Sequence, residues 1–173
     1  MTKYVFNSAN HFEFYPISKC LKQFLYNSYP VFICFGSSLS VGDSLGPIIG
    51  LKTLNKLKGK CYVYGTLKAT ITAKEAFIIY KTIKNLHPKS QIVIIDAAVG
   101  QKTDVGLIKV FNDGIKPGLG VDKNLDKVGD VSIIGIIGEK QEFNKNILSG
   151  VSANFIEELS NIISESIVNA ILN

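Results

Sequence analysis

The sequence predicts an α/β fold, a three-layer α/β/α sandwich built around a mixed five-stranded sheet. Three observations carry that reading. Short continuous apolar runs, Val31–Phe35 and Gln91–Asp96 above all, have the pattern of strands buried on both faces. Between them lie stretches whose apolar residues recur at helical spacing. The two patterns alternate as β-α-β-α-β, which calls for right-handed crossovers and a parallel sheet. A later strand follows too closely for a crossover helix, so the sheet must be mixed.

Residues 1–15 are polar and aromatic without a clear period and read as an N-terminal arm ahead of one domain, residues 16–173. Pro16 opens a helix carried by Ile17, Leu21, Phe24 and Leu25, and Pro30 ends it. The strand Val31–Phe35 stops at Gly36. A Ser- and Gly-rich loop leads into a helix over 45–57, with Pro47 in its first turn and Gly59 after its end. Cys61–Tyr64 is a short strand, and residues 72–86 form a helix on Ala73, Ala76, Phe77, Tyr80 and Ile83, terminated by His87-Pro88. Gln91–Asp96 is the strongest buried-strand signal. Val105–Val110 is the antiparallel strand, a Gly-rich loop spans 112–130, and Val131–Ile137 is the last strand. A helix over 150–171 closes the chain with Val151, Phe155, Leu159, Ile162, Ile163, Ile167 and Ile171 on one face.

The 173 residues, 46% of them apolar and 19% charged, suit one globular domain without staples. The net charge of +5 is spread over scattered lysines, with no basic cluster interleaved with aromatics, so no nucleic-acid partner is expected. Three cysteines without C-x-x-C spacing argue against a disulfide framework and a structural zinc site. No run approaches the ~18 apolar residues of a membrane helix, and the N-terminus has no secretory apolar stretch. A cytoplasmic protein is the expectation.

Two carboxylates stand out. Asp43, in Gly42-Asp-Ser-Leu-Gly-Pro47, sits where the first strand hands over to a helix, a place where an aspartate caps the helix N-terminus. Asp96 ends an apolar strand, where an aspartate commonly ties down a turn. If the first strand lies beside both the second and the third, the two flank the point where strand order reverses, the usual ligand site of open α/β sheets. Adjacent strands lie roughly 4.8 Å apart, which would bring the carboxylates within about 5–10 Å. Such a pair splits its proton affinities, Asp43 held ionised by the helix and Asp96 pushed toward the acid, as general acid–base work on a water requires. The same pair could ligate a divalent cation.

Other candidates are weaker. Lys116 and Gly118, in Asp113-Gly-Ile-Lys-Pro-Gly-Leu-Gly120, could bring a charge and backbone N–H groups over the site, or form only a turn-rich connection. Ser37, Ser38, Ser40 and Ser44 near a helix start could hold an anion, which Asp43 would repel. No histidine lies near enough to activate Ser40 or Ser44. Cys34, inside an apolar run, reads as core.

The segments Phe35–Pro47, Val63-Tyr-Gly-Thr-Leu67, Ile94-Ile-Asp-Ala97, Lys116–Lys123 and Val128–Ile136 resemble, in order, the YyaC-like sporulation proteins. That family is similar to the spore germination protease and more distantly to the hydrogenase maturation proteases. The resemblance implies a phosphorylase/hydrolase-like sandwich. It also implies aspartate-dependent cleavage by Asp43 and Asp96 of a protein or peptide, such as a small acid-soluble spore protein. Ser44, Gly65, Lys116 and Gly118 fall in the matched motifs as substrate-binding candidates. In the hydrogenase maturation proteases the two acidic positions hold a metal with a histidine. Here His11 lies in the arm and His87 at the opposite edge of the sheet, so no metal and no cofactor are expected. The loop Ser37-Ser38-Leu39 and the run Lys68–Thr72 lack charged groups usual in the family. Three readings follow: an aspartate peptidase, a catalytically inactive sporulation protein binding a partner in the same groove, and a metal-dependent processing factor. A homo-oligomer is compatible with any of them.

Overall fold

The apolar run after Pro30 becomes the strand on which the sheet turns. In the computed structural model, which describes residues 2–9, 14–26, 29–116, 126–140 and 150–173, the elements follow one another in order. They are β1 (Lys3–Asn7), α1 (Phe14–Phe24), β2 (Val31–Cys34), α2 (Leu45–Lys56), β3 (Tyr62–Tyr64), α3 (Ala76–Leu86), β4 (Ile92–Gly100), β5 (Leu107–Phe111), β6 (Val131–Glu139) and α4 (Ala153–Leu172). The sheet has six strands in the order β1-β5-β6-β4-β2-β3.

β2 pairs in parallel with β3 on one side and β4 on the other, so strand order reverses between β2 and β4, which meets the condition the sequence reading set for a site there. β4 pairs in parallel with β6, and β5 runs antiparallel to β6. The sixth strand comes from the stretch expected to be an arm: Lys3–Asn7 pairs antiparallel with β5 and closes that edge. Its five residues, Lys-Tyr-Val-Phe-Asn, are mostly exposed and do not alternate polar with apolar, because an edge strand needs only backbone partners and one anchoring side chain. Phe6 is that anchor, packed on the core beneath.

Alternation along the strands builds two cores. Phe32, Cys34, Val93, Ile95, Val131 and Ile133 face α1, α2 and α4, whose buried faces present Ile17, Leu21, Leu45, Ile49, Leu159 and Ile163. Val31, Ile33, Phe35, Ile92 and Ile94 face the other way, against Ala76 and Ile83 of α3 and against Ile71 and Val128 from loops. Helices thus cover both faces and make the three layers. Each fully buried Val or Ile contributes roughly 1.5–3 kcal/mol, so both central strands are held from two sides. Lys52 on α2 ties that layer to α4, its Nζ lying 2.8 Å from Glu157 and Ser160 and 2.6 Å from Asn161.

Two helices start later than periodicity implies. Thr72 donates its backbone N–H and its hydroxyl to the Glu75 carboxylate, so residues 72–75 form a hydrogen-bonded turn ahead of α3 rather than its first turn. α4 begins at Ala153. α1 starts at Phe14, two residues before Pro16, which its first turn tolerates.

Candidate active site

β2 ends at Cys34, and Phe35 donates its N–H to the Ile95 carbonyl at 2.8 Å, which carries the pairing one residue further. Asp96 therefore stands on β4 just where β2 leaves it. The chain then turns at Gly36, whose φ of +140° and whose approach to the Asp43 carbonyl leave no room for a side chain; a Cβ there would lie 2.1 Å from that oxygen. The same carbonyl accepts the Ser37 N–H at 3.0 Å. These contacts fold the loop back and deliver Asp43, within a 3₁₀ turn at Gly42–Ser44, to the carboxyl end of β2.

Asp43 does not cap the helix as expected. The helical entry is the 3₁₀ turn followed by α2, and neither start has a side-chain cap bond. Its carboxyl is half-buried, and burial raises its pKa above the usual carboxylate range. Asp96 lies deeper in the protein, though its mouth stays partly open. Burial pushes it up to about 7, the Asp43 charge adds to the rise, and the Ala97 N–H, donated to Asp96 Oδ1 at 2.8 Å, opposes it. Both carboxyls are thus biased toward the acid, with Asp96 the stronger holder of the proton. The expectation that a helix N-terminus holds Asp43 ionised is not met, because its carboxyl makes no cap bond and burial raises it as well; what separates the two is the greater depth of Asp96.

The other candidates fare unevenly. The Ser44 hydroxyl is nearly buried and donates to the Val41 carbonyl at 2.7 Å, so it stabilises the turn instead of facing a ligand. Gly65 is buried with φ +81°, and a Cβ on it would lie 2.0 Å from the Cys34 carbonyl; it lets β3 leave tightly beside β2. Lys116 is exposed at the stem of the Gly-rich loop. That stem, bridged between Ile115 and Val128, packs with Ile92 and Ile94, on the face of β4 to which strand alternation also assigns Asp96. Gly118 lies outside the described residues, as does His11.

His87 sits at the β3 edge, its Nε2 2.7 Å from the Tyr64 hydroxyl and its ring 4.1 Å from that of Tyr62. Among the described residues no three His, Cys, Asp or Glu side chains gather. Cys20, Cys34 and Cys61 are free and buried, and burial raises all three thiols, the opposite of what a nucleophile needs. Sequence reasoning missed the extension of β4 to Gly100, four residues beyond Asp96. Ala97-Ala-Val-Gly100 is weakly patterned, and its small residues gave no strand signal of their own.

The fold defines a class, the three-layer α/β/α sandwiches with a mixed sheet. The NiFe hydrogenase maturation protease HycI from Thermococcus kodakarensis KOD1 shares the fold with a TM-score of 0.59, over 89% of this chain and 99% of its own, at 15% identity. The chain belongs to the family described as a protein of unknown function (DUF1256), whose model matches residues 5–166. The uncharacterized protein YyaC of Bacillus subtilis (strain 168) is 31% identical over 137 residues, 79% of this chain and 67% of YyaC. The motif resemblance therefore holds at the level of the family. Among the described residues no helix is long and apolar enough to cross a membrane.

Proposed function

We propose that this chain is a sporulation-associated cytoplasmic peptidase that hydrolyses peptide bonds with the Asp43–Asp96 pair. The observation that carries the proposal is Asp96, a deeply set carboxyl whose pKa reaches about 7 beside a second carboxyl at the reversal of strand order. One proton shared between two such groups supplies an acid and a base together. Asp43, ionised, takes a proton from a water as its oxygen attacks the peptide carbonyl. Asp96, protonated, gives its proton to the carbonyl oxygen. Collapse of the tetrahedral gem-diol breaks the C–N bond: the proton held by Asp43 passes to the departing amine, and Asp96 takes back a proton from one hydroxyl as the carbonyl re-forms, which restores the pair. The substrate is a protein or peptide, with small acid-soluble spore proteins the class that the resemblance suggests.

A second reading has its own observation. Leu39 is 95% exposed and Val41 is 38% exposed on the uncharged loop that leads to Asp43. An apolar lip of this kind suits holding a partner without cleaving it.

Cleavage of a small acid-soluble spore protein and of casein, with and without chelator, tests the proposal. The expected result is chelator-resistant cleavage that falls at least about a thousandfold in Asp43→Asn and in Asp96→Asn. Folded protein that cleaves neither substrate moves the chain to the binding reading, and chelator-sensitive cleavage moves it to a metal-dependent processing factor.

A further inference from the structure

β4 outruns its neighbour. On one side it stays paired with β6 as far as Gly100, while on the other its pairing with β2 ends at Cys34–Ile95. Burial changes at the same point: residues 91–95 are buried, and residues 96–100 are half-open.

Backbone direction along β4 is fixed by its own bonds. The Ile95 carbonyl accepts from Phe35 on the β2 side, and the Gly100 carbonyl accepts from Lys140 on the β6 side. The register irregularity near Val99 adds its extra residue, Ile137, to β6, so the alternation of β4 is intact. Ala97 and Val99 consequently turn their N–H and C=O groups to the side that β2 has vacated. Among the described residues no strand pairs with that edge. Among the described residues, the Ala97 N–H is met by the carboxylate of Asp96 itself.

An open strand edge that begins at a reactive carboxyl is a template for one kind of occupant, an extended chain. We propose that a substrate peptide binds by adding a strand to β4 along Ala97–Val99, in the place where β2 would have continued. This rests on the peptidase reading and names its substrate class: unstructured segments, recognised mainly through their backbone. Three features fit. Ala97, Ala98 and Gly100 are small and leave room for a neighbour's side chains. From Asp96 to Gly100 the strand spans about 13 Å at ~3.3 Å per residue, enough for several residues of peptide. Residues 96–100 are half-open where residues 91–95 are buried, so the edge is reachable from solvent. An incoming carbonyl that accepts from Ala97 displaces the Asp96 oxygen and frees that carboxyl to meet the peptide.

Fluorescein-labelled ten-residue peptides tiled from a small acid-soluble spore protein and from β-casein provide the probe, read by fluorescence anisotropy on the Asp43→Asn protein to prevent turnover. Single N-methylation along the tightest-binding peptide is expected to weaken binding about tenfold at two positions spaced two residues apart, whose amides meet the Ala97 and Val99 carbonyls, and little at the residue between them. Val99→Pro, which removes an edge donor and no β6 bond, should weaken binding about tenfold as well. Should Val99→Pro fail to fold, the N-methyl scan decides alone. Tolerance of N-methylation everywhere, losses without a period of two, or no binding by any peptide would overturn the proposal. Period-two binding without wild-type cleavage would sink the peptidase reading and leave the edge site standing. Cleavage indifferent to Val99→Pro and to N-methylation would do the reverse.

Discussion

Replacing Asp96 with asparagine should make the protein more stable above neutral pH. Asparagine matches aspartate in size, and its Oδ1 can keep the Ala97 N–H. The folded carboxyl titrates at about 7 against an ordinary value of 3.8, so between those values the native state holds a proton that the unfolded state has released. Stability of the wild type is therefore fully present below about pH 4, declines as pH rises through 7, and levels off beyond. A tenfold change in proton affinity is worth ~1.36 kcal/mol, so the rise from 3.8 to about 7 sets a ceiling of about 4 kcal/mol. The partly open mouth of the site lowers that, leaving roughly 2–4 kcal/mol in favour of Asp96→Asn at pH 8 and about none at pH 4. Urea unfolding followed by circular dichroism from pH 4 to 8 measures the difference. An advantage that does not change with pH, or a variant less stable than wild type at pH 8, would refute the reasoning. Activity destroyed by a stabilising change is the pattern expected of a catalytic group held in an unfavourable setting.

Gly65→Ala should cost roughly 2–4 kcal/mol in urea unfolding, since its Cβ meets the Cys34 carbonyl at 2.0 Å in a backbone region closed to alanine. Lys52→Ala should cost about 1–2 kcal/mol by loosening α2 from α4, with the thermal midpoint lowered and the Asp96 titration unmoved. Removing residues 2–9 takes away β1 and uncovers the long edge of β5; size-exclusion chromatography should show self-association, whereas release of an inhibitory segment would instead give a monomer with raised activity.

The parallel heart of the fold was legible because fully buried strands need unbroken apolar runs, and Val31–Phe35 and Gln91–Ile95 are such runs. The reversal of order around β2 follows from one short crossover on each face, and it sets the strand end that leads to Asp43 beside the strand that carries Asp96. β1 was hidden because Lys3–Asn7 owes its place to backbone bonds with β5, which leave little mark on side-chain pattern. The extension of β4 was hidden for a related reason: Ala97–Gly100 stays in the sheet through β6, not through apolar side chains of its own. Within the site, the carboxylates were found from their positions at strand ends. Ser44 and Gly65 were assigned to substrate from their motifs, but the hydroxyl of one is spent on Val41 and the other lies against Cys34. Those uses depend on how the loop folds back at Gly36, which spacing alone does not encode.

The central claim is that Asp43 and Asp96 act as one coupled pair, and carbon-13 NMR titration of the aspartate carboxyls tests it most directly. The account predicts an Asp96 signal that titrates near 7 in the wild type and at lower pH in Asp43→Asn, where the neighbouring charge is gone. An Asp96 midpoint near 4, or one that Asp43→Asn leaves unchanged, would contradict it.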